Sequence, residues 1–200
     1  MSEPAVAPLS ELSSAGLEQL VHLHCSVLPT LLTDLGVPLV REYYRIVAAD
    51  PSVVGFFAQA DRPGVVGWAV GSPDPAAINA KLHSRPVWFA LQMLRIALRK
   101  PRVLPQLVRS TLSASSQTET DSAIELTYIG VALPFRGQGS GTVLLRKFLD
   151  ASRAAGYLTA ELSVEAGNAD AVDLYTRSGF LATRSFREGR FERLRMERVL

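Results

Sequence analysis

The chain has 200 residues, a length typical of one domain, which excludes a large multidomain protein. Hydrophobic residues make up 48% and charged residues 20%, a globular composition that excludes disordered and collagen-like proteins. The 21 Lys and Arg residues nearly balance the 19 Asp and Glu residues, and the formal charge of +2 excludes a uniformly basic nucleic-acid coat. We therefore predict a single domain over residues 1–200 with no nucleic-acid partner.

The first third of the chain predicts two helices followed by a hairpin. Leu17, Leu20 and Val21 follow helical spacing from Ser13 to Leu28, before Pro29. Pro38 then opens a second helical stripe that ends near Asp50. The hairpin consists of apolar strands at Val53 to Gln59 and Val65 to Val70, joined by the turn Asp61-Arg62-Pro63-Gly64.

Residues 72–123 interrupt this order and predict a helical insertion. The segment from Pro86 to Arg99 is apolar around most of a helix, with Gln92, Arg95 and Arg99 on a narrow polar stripe. Between Pro75 and Thr118 the chain carries basic residues and no acidic one. Three interpretations fit: cover for a ligand pocket, a helix that contacts anionic lipid, or a protein surface such as a homodimer contact. We favour packing on the domain beside such a pocket.

The last third alternates strands and helices. We predict a strand over 124–131, a helix over 141–155, a strand over 158–164, a short helix over 170–178 and a final hairpin formed by 180–186 and 191–199. Gly179 follows the short helix, as glycine commonly does at helix ends. The turn of the hairpin contains Glu188-Gly189.

A glycine-rich loop, Arg136-Gly-Gln-Gly-Ser-Gly-Thr142, lies between the first strand and the helix of this last third. Glycines allow backbone amides to approach an anion, and the helix N-terminus adds a partial positive charge, so we predict a bound phosphate or pyrophosphate. The Walker A motif is excluded because no Gly-Lys-Ser/Thr follows. The dinucleotide fingerprint is a near miss, with Thr142 where a third Gly or Ala would stand.

These residues resemble the acetyl-CoA signature of the GNAT N-acetyltransferase superfamily. The motif Arg136-x-x-Gly139-x-Gly141 follows a strand ending in Val131, and the second half of the pattern is Leu162-Ser-Val164, Asn168, Ala171, Leu174-Tyr175 and Gly179-Phe180. The resemblance implies an α/β fold with a mixed, mostly antiparallel sheet flanked by helices. It places an acetyl-CoA-binding core at about 124–180 and the helical insertion, about 72–123, between the third and fourth strands. The family's usual first strand is not evident before Ser13.

The resemblance also implies roles for individual residues in binding acetyl-CoA. The edge of the strand at Ile129 and Val131 would pair with the pantetheine arm, and the Val131 amide would polarise the thioester carbonyl. Asn168 would contact the cofactor, although it also fits the N-cap of the helix that follows. The CoA pyrophosphate would be held by the loop amides of Arg136, Gly137, Gln138, Gly139, Ser140, Gly141 and Thr142.

Two side chains are candidates for proton transfer. Tyr175 matches the family's tyrosine and would protonate the departing thiolate, with a plain helix-stripe aromatic as the alternative. Glu125 would act as the general base, directly or through water, with a solvent-facing strand carboxylate as the alternative. Three histidines, at positions 22, 24 and 83, are further candidates for the base.

The sequence thus predicts an enzyme that transfers an acetyl group from acetyl-CoA directly to an acceptor amine, without a metal or a covalent enzyme intermediate. The acceptor is unidentified, and an amino sugar, a polyamine, an antibiotic or a peptide amine all fit. The alternative is a non-catalytic acyl-CoA-binding regulator or scaffold. Cys25 is the single cysteine, so an internal disulfide is excluded, and we expect this residue to serve packing. Because the sequence shows no secretory signal and no long apolar run, we expect a cytoplasmic protein.

Overall fold

The computed structural model of the protein describes residues 4–60, 64–83, 86–99, 122–188 and 191–200. Within these ranges the helices are α1 (Ser14–Val27), α2 (Leu31–Leu35), α3 (Val37–Ala49), α4 (Pro75–Leu82), α5 (Pro86–Arg99), α6 (Ser140–Ala154) and α7 (Ala169–Arg177). The strands are β1 (Ala5–Pro8), β2 (Val54–Ala60), β3 (Gly64–Ser72), β4 (Ala123–Val131), β5 (Thr159–Glu165), β6 (Leu181–Glu188) and β7 (Phe191–Val199). Short 3-10 turns follow β1 and β4, at Leu9–Glu11 and Leu133–Phe135.

All seven strands form one sheet in the order β1-β2-β3-β4-β5-β7-β6. Every neighbouring pair is antiparallel except β4 and β5, which are parallel and are connected through α6. A parallel pair needs such a crossover because its strands run in the same direction. The predicted fold, a mixed and mostly antiparallel sheet flanked by helices, is confirmed.

Helices pack on both faces of the sheet. On one face, α1 and α3 cover Phe57, Trp68 and Val70 of the first strands. On the other face, Leu144, Leu145 and Phe148 of α6 pack against the alternating apolar residues of β4 and β5, which include Ile124, Leu126, Ala160 and Leu162. Because each strand alternates its side chains between the faces, the two clusters are separated by the sheet.

The first half of the sheet differs from the prediction at its edge. β1 lies before Ser13, where no strand was evident, and pairs antiparallel with β2 from Ala5 opposite Gln59 to Pro8 opposite Phe56. A four-residue segment with two alanines and a proline carries little strand signal of its own, so its pairing with β2 defines it. The short helices α2 and α4 were not predicted either. The predicted turn at 61–63, Gly189 and residues 100–121 of the insertion lie outside the described residues.

The predicted polar stripe of α5 is wrong at Gln92. The side chain of Gln92 is only 7% exposed, whereas Leu91 and Leu94 are 45% and 56% exposed. Trp88, Phe89 and Met93 pack against the core that α1 and α3 form. A helix that is apolar on almost every side carries no periodic signal for its buried face, so tertiary packing determines the orientation. The side chains of Arg95 and Arg99 lie outside the described residues.

In the part of the chain that the structure describes, no helix combines the length and the apolarity needed to cross a membrane.

Candidate functional site

The sheet opens between its two parallel strands. β4 and β5 pair from Ala123 opposite Thr159 to Leu126 opposite Leu162, and this register stops there although both strands continue. On its other side β4 stays paired with β3, but Leu126 faces Gly71 and Tyr128 faces Val70, which leaves Thr127 as the extra residue of a β-bulge. Bulges bend and twist a strand. The bulge therefore lies at the point where β4 leaves β5.

The free edge of β4 presents backbone groups to this opening. The amide of Ala132 donates to the Val66 carbonyl oxygen of β3 at 2.8 Å. Backbone groups alternate in direction along a strand, so the amides of Ile129 and Val131 point away from β3 and into the opening. The Val131 carbonyl oxygen accepts from Arg136 Nε at 3.0 Å. The two residues predicted to pair with the pantetheine arm thus lie on an edge that can accept an extended chain.

The glycine loop lies directly after this edge. Gly137 and Gly139 have φ of 72° and 83°, a region that disfavours residues with a side chain, and a Cβ atom at either position would meet no atom within 4 Å. The Gln138 side-chain amide donates to the Pro134 carbonyl oxygen at 2.8 Å and braces the loop. The loop is therefore exposed, and its backbone is open to a ligand.

The N-terminus of α6 completes the loop. The first helical bond runs from the Val143 amide to the Gly139 carbonyl oxygen at 3.0 Å. The amides of Ser140, Gly141 and Thr142 therefore have no acceptor within the helix, as is general for the first turn. With the partial positive charge of the helix end, this arrangement suits an anion. The residues present fit the pyrophosphate that the family resemblance implies.

Helix α7 lies beside the start of α6 and the end of β4. A Cβ atom at Gly141 would lie 3.7 Å from Leu174 Cδ2 and 3.8 Å from Val131 Cγ2, so these three residues pack together. The neighbouring residue Tyr175 is buried with its ring edge-on to Phe180, at a centroid distance of 5.8 Å. Burial raises the pKa of Tyr175 well above its ordinary value. The phenol is therefore protonated at neutral pH, and burial makes it a weaker acid than an exposed tyrosine. Its role as proton donor stays a prediction.

Asn168 caps helix α7. Its side-chain oxygen accepts from the Ala171 amide at 3.2 Å, and the residue is exposed. This is the N-cap alternative of the sequence interpretation, and capping leaves the side-chain amide group of Asn168 free for another contact. Its contact with the cofactor stays a prediction.

Glu125 lies on β4 before the opening and forms an ion pair. Its Oε2 atom is 2.9 Å from Arg195 Nη1 of β7. At about 3.3 Å per residue, six residues of strand separate Glu125 from Val131 by on the order of 20 Å. Direct proton transfer needs a separation near 3 Å, so Glu125 does not reach a thioester at the Val131 amide directly, and its role as a base stays a prediction.

Two tyrosines lie between Glu125 and the end of β4, on the face covered by α1 and α3. The ring of Tyr43 from α3 meets Tyr128 edge-on at 5.4 Å. Burial and the neighbouring Tyr128 raise the pKa of Tyr43, and its hydroxyl contacts Thr127 at the bulge. The sequence analysis did not find these residues, because only the register places Tyr128 and Glu125 on the same face.

The histidine candidates divide by burial. His24 is fully buried, with Nδ1 2.8 Å from Tyr44 Oη and Nε2 3.3 Å from Thr30 Oγ1. Burial lowers the pKa of His24 to about 4, so the ring is neutral at physiological pH. His22 is exposed on α1, and His83 packs edge-on against Phe89 at 4.3 Å. The ion pairs of the described residues involve none of the three histidines.

Among the described residues, neither the cysteine nor a group of carboxylates and histidines forms a second reactive centre. Cys25 is half-buried, and burial raises the pKa of its thiol, which disfavours the reactive thiolate. Within the described ranges, no three His, Cys, Asp or Glu side chains are grouped to hold a metal ion.

Comparison with known proteins identifies the fold. Residues 107–180 match the model of the acetyltransferase (GNAT) family. The ribosomal-protein-S18-alanine N-acetyltransferase of Escherichia coli is 15% identical, with a TM-score of 0.61 over 98% of this chain and 92% of that chain. Arabidopsis thaliana NAA60 in complex with acetyl-CoA is 16% identical, with a TM-score of 0.63 over 98% of each chain. Ard1 from Thermoplasma volcanium is 16% identical, with a TM-score of 0.63 over 100% of this chain and 99% of that chain.

No protein of curated function matches the sequence. The resemblance to the GNAT superfamily that the sequence predicted is nevertheless confirmed by the family match and by the fold.

Proposed function

We propose, from the resemblance to the GNAT superfamily, that this protein transfers the acetyl group of acetyl-CoA directly to an acceptor amine. The observation that carries the proposal is the free edge of β4 at Ile129 and Val131, which runs directly into an unhindered glycine loop at the start of α6. This arrangement offers an extended binding edge and an anion site in series. Both are features that a pantetheine arm with a pyrophosphate would use.

The backbone supplies most of the proposed binding and part of the catalysis. The amides from Arg136 to Thr142 would hold the pyrophosphate, and the edge at Ile129 would pair with the pantetheine arm. Acetyl-CoA supplies the activated thioester. The Val131 amide would donate a hydrogen bond to the thioester carbonyl, and one such preorganised donor contributes about 3 kcal/mol in the transition state.

Tyr175 would donate the proton that the departing thiolate takes up. We expect Tyr175→Phe to lower kcat about 100-fold, because general-acid catalysis contributes at least that much, while the Kd for acetyl-CoA stays near its original value. Steady-state kinetics and calorimetric titration would measure the two effects. Tyr157→Phe, the same chemical change at the other end of α6, is the control. An unchanged kcat in Tyr175→Phe would assign the ring to packing against Phe180 alone.

Glu125 would accept the proton of the amine through water. A primary amine is mostly protonated at neutral pH, so a base must take up its proton before the acetyl group is transferred. Only the ionised form of the base can do this, so kcat/KM should rise with pH. We expect Glu125→Gln to flatten this rise and to lower kcat/KM by about 100-fold. Glu165→Gln, which removes a carboxylate from the same face of β5, serves as the control. A pH profile that Glu125→Gln leaves unchanged would remove Glu125 from the mechanism.

The acceptor class is the open part of the proposal. The Escherichia coli neighbour is named for a ribosomal-protein alanine, which supports a peptide amine, and the basic residues between 75 and 118 support an anionic acceptor such as an amino sugar linked to a nucleotide. CoA release with a panel of peptides, amino sugars, polyamines and aminoglycosides tests these classes. Saturable acetyl-CoA binding without CoA release for any amine would favour the non-catalytic regulator.

Two further properties stay proposals, namely a cytoplasmic location and a homodimer. Contact with a membrane through residues 86–99 is the disfavoured alternative.

A further inference from the structure

Three charged side chains from three neighbouring strands meet where the sheet opens. The guanidinium of Arg195 on β7 reaches across β5 to Glu125 on β4, at 2.9 Å between Nη1 and Oε2. The same guanidinium contacts Glu161 of β5 through Nη2 and donates to Ser163 Oγ at 3.1 Å. We call Glu125, Glu161 and Arg195 the Arg195 bridge.

The register explains why a cation is needed at this point. Glu125 and Glu161 are direct partners in the parallel pairing of β4 and β5, one position before the last pair, Leu126 and Leu162. Two carboxylates opposite each other on neighbouring strands repel. Their side chains are 17% and 19% exposed, so water screens this repulsion only in part. Without a cation this repulsion would weaken the pairing of β4 with β5 at its last pair, Leu126 and Leu162.

Arginine suits this position better than lysine. Its planar guanidinium carries several donors and can bind two carboxylates and a hydroxyl at once. Burial lowers the pKa of Arg195, whose side chain is 12% exposed, but the charges of Glu125 and Glu161 outweigh this effect and raise it overall. Arg195 therefore stays charged at every pH at which the protein is folded.

We propose that Arg195 is a positioning residue, which holds Glu125 in place and fixes the point at which β4 and β5 separate. The part concerning Glu125 rests on the proposed function, whereas the part concerning the separation of the strands does not. β4 beyond Leu126 forms the proposed binding edge. Arg195 thus acts on cofactor binding and on the base through the same contact, without touching either reactant.

Other charged and titratable groups surround the Arg195 bridge and belong to its electrostatics. The negative charge of Glu125 contributes to raising the pKa of Tyr43 on α3. Arg184 of β6 is the register partner of Arg195. The remaining groups on neighbouring strands of this face are Tyr128 of β4, Glu165 of β5, and Arg193 and Glu197 of β7.

The test compares Arg195→Met with Arg193→Met, which removes the same charge from the same strand and the same face. Hydrogen exchange of the full chain reports the strand pairing and needs no turnover. We expect amides at 124–126 and 160–162 to exchange about 10-fold faster in Arg195→Met than in Arg193→Met. We also expect about 10-fold weaker acetyl-CoA binding, and the rise in kcat/KM should move to higher pH because the cation no longer favours the ionised base.

A second variant separates charge neutralisation from packing. Glu161→Gln combined with Arg195→Met removes the repulsion together with the cation, so exchange at 124–126 should return toward that of Arg193→Met. If Arg195→Met does not fold but this double variant does, the proposal is supported. If neither folds, Arg195 serves the general stability of the sheet and the proposal is overturned.

The possible results also distinguish the two proposals. Equal exchange, binding and pH profiles in Arg195→Met and Arg193→Met would overturn the positioning role. Faster exchange in Arg195→Met, with no turnover in the unaltered protein, would support the strand-separating role and contradict the proposed enzyme function instead.

Discussion

Replacing Gly139 with valine should weaken acetyl-CoA binding by at least about 100-fold, which corresponds to about 2.7 kcal/mol, and leave the protein folded. Gly139 has a φ of 83° and immediately precedes the first residue of α6. A β-branched side chain is strained in this conformation, and it would fill the open space in which the pyrophosphate is expected. Calorimetric titration with acetyl-CoA, run beside NADPH, would measure the loss.

The same helix provides a matched control at its other end. Gly156 has a φ of 91° and, like Gly139, a Cβ atom there would meet nothing within 4 Å. Valine should therefore cost a similar 1 to 2 kcal/mol of backbone strain, about the penalty for left-handed conformations, at either site. We expect Gly156→Val to bind acetyl-CoA normally. Equal acetyl-CoA binding in both variants would remove Gly139 from the binding site. No acetyl-CoA binding by the unaltered protein would mean that the glycine loop is structural, and the enzyme interpretation would fail with it.

Acid should destabilise the protein because the buried His24 binds a proton more weakly in the folded protein than in the unfolded chain. The folded protein holds His24 neutral, with a pKa of about 4, because the ring is buried against Tyr44 and Thr30. An unfolded chain binds a proton at His24 below a pH of about 6.5. The full contribution of His24 is therefore present above that pH and is lost as the pH falls toward 4. By linkage the free energy of unfolding should fall by about 3 kcal/mol across this window.

Urea unfolding between pH 7 and 4 would measure this dependence, with His24→Gln and His22→Gln compared in parallel. His24→Gln should lower the stability at pH 7 but flatten its decline. His22→Gln, at an exposed position of the same helix, is the control. Asp50 does not interfere, because Lys81 and Ser52 lower its pKa to about 2 and its contribution is lost only below about pH 4. The same slope in His24→Gln and in the unaltered protein would refute this role of the buried ring.

The parts of the fold that the sequence predicts are those that local pattern determines. α1 and α3 follow from apolar spacing and prolines, and the glycine loop follows from its own residues, so both are located within a few positions. β1 could not be predicted, because its own residues carry little strand signal and only its pairing with β2 makes it a strand. The buried face of α5 could not be predicted either, because almost every residue along that helix is apolar.

The sequence locates the loop glycines and Tyr175 of the candidate site, whose roles stay predictions, but it does not locate the charged side chains beside the opening. Gly137, Gly139 and Tyr175 carry motif spacing, and the structure places them around one end of β4. Arg195 and Glu161 carry only strand alternation, which indicates their face and not their partners. Arg195 and Glu161 contact each other and Arg195 contacts Glu125 because of the register of β4, β5 and β7. The residues of these contacts are more than 30 positions apart in the chain, so no local sequence pattern predicts that register.

The bulge at Thr127 is a separable part of the sheet. Glu125, Leu126, Tyr128 and Ile129 pair with consecutive residues of β3, from Ser72 to Ala69, as though Thr127 were absent. A chain shortened by that residue would keep each of these pairs and each side chain on its present face. The extra residue therefore adds a bend to β4 without changing the order of the pairs on either side of it. An irregularity in the pairing on one side of β4 thus coincides with the end of its pairing on the other side, so one short stretch of this strand carries both changes.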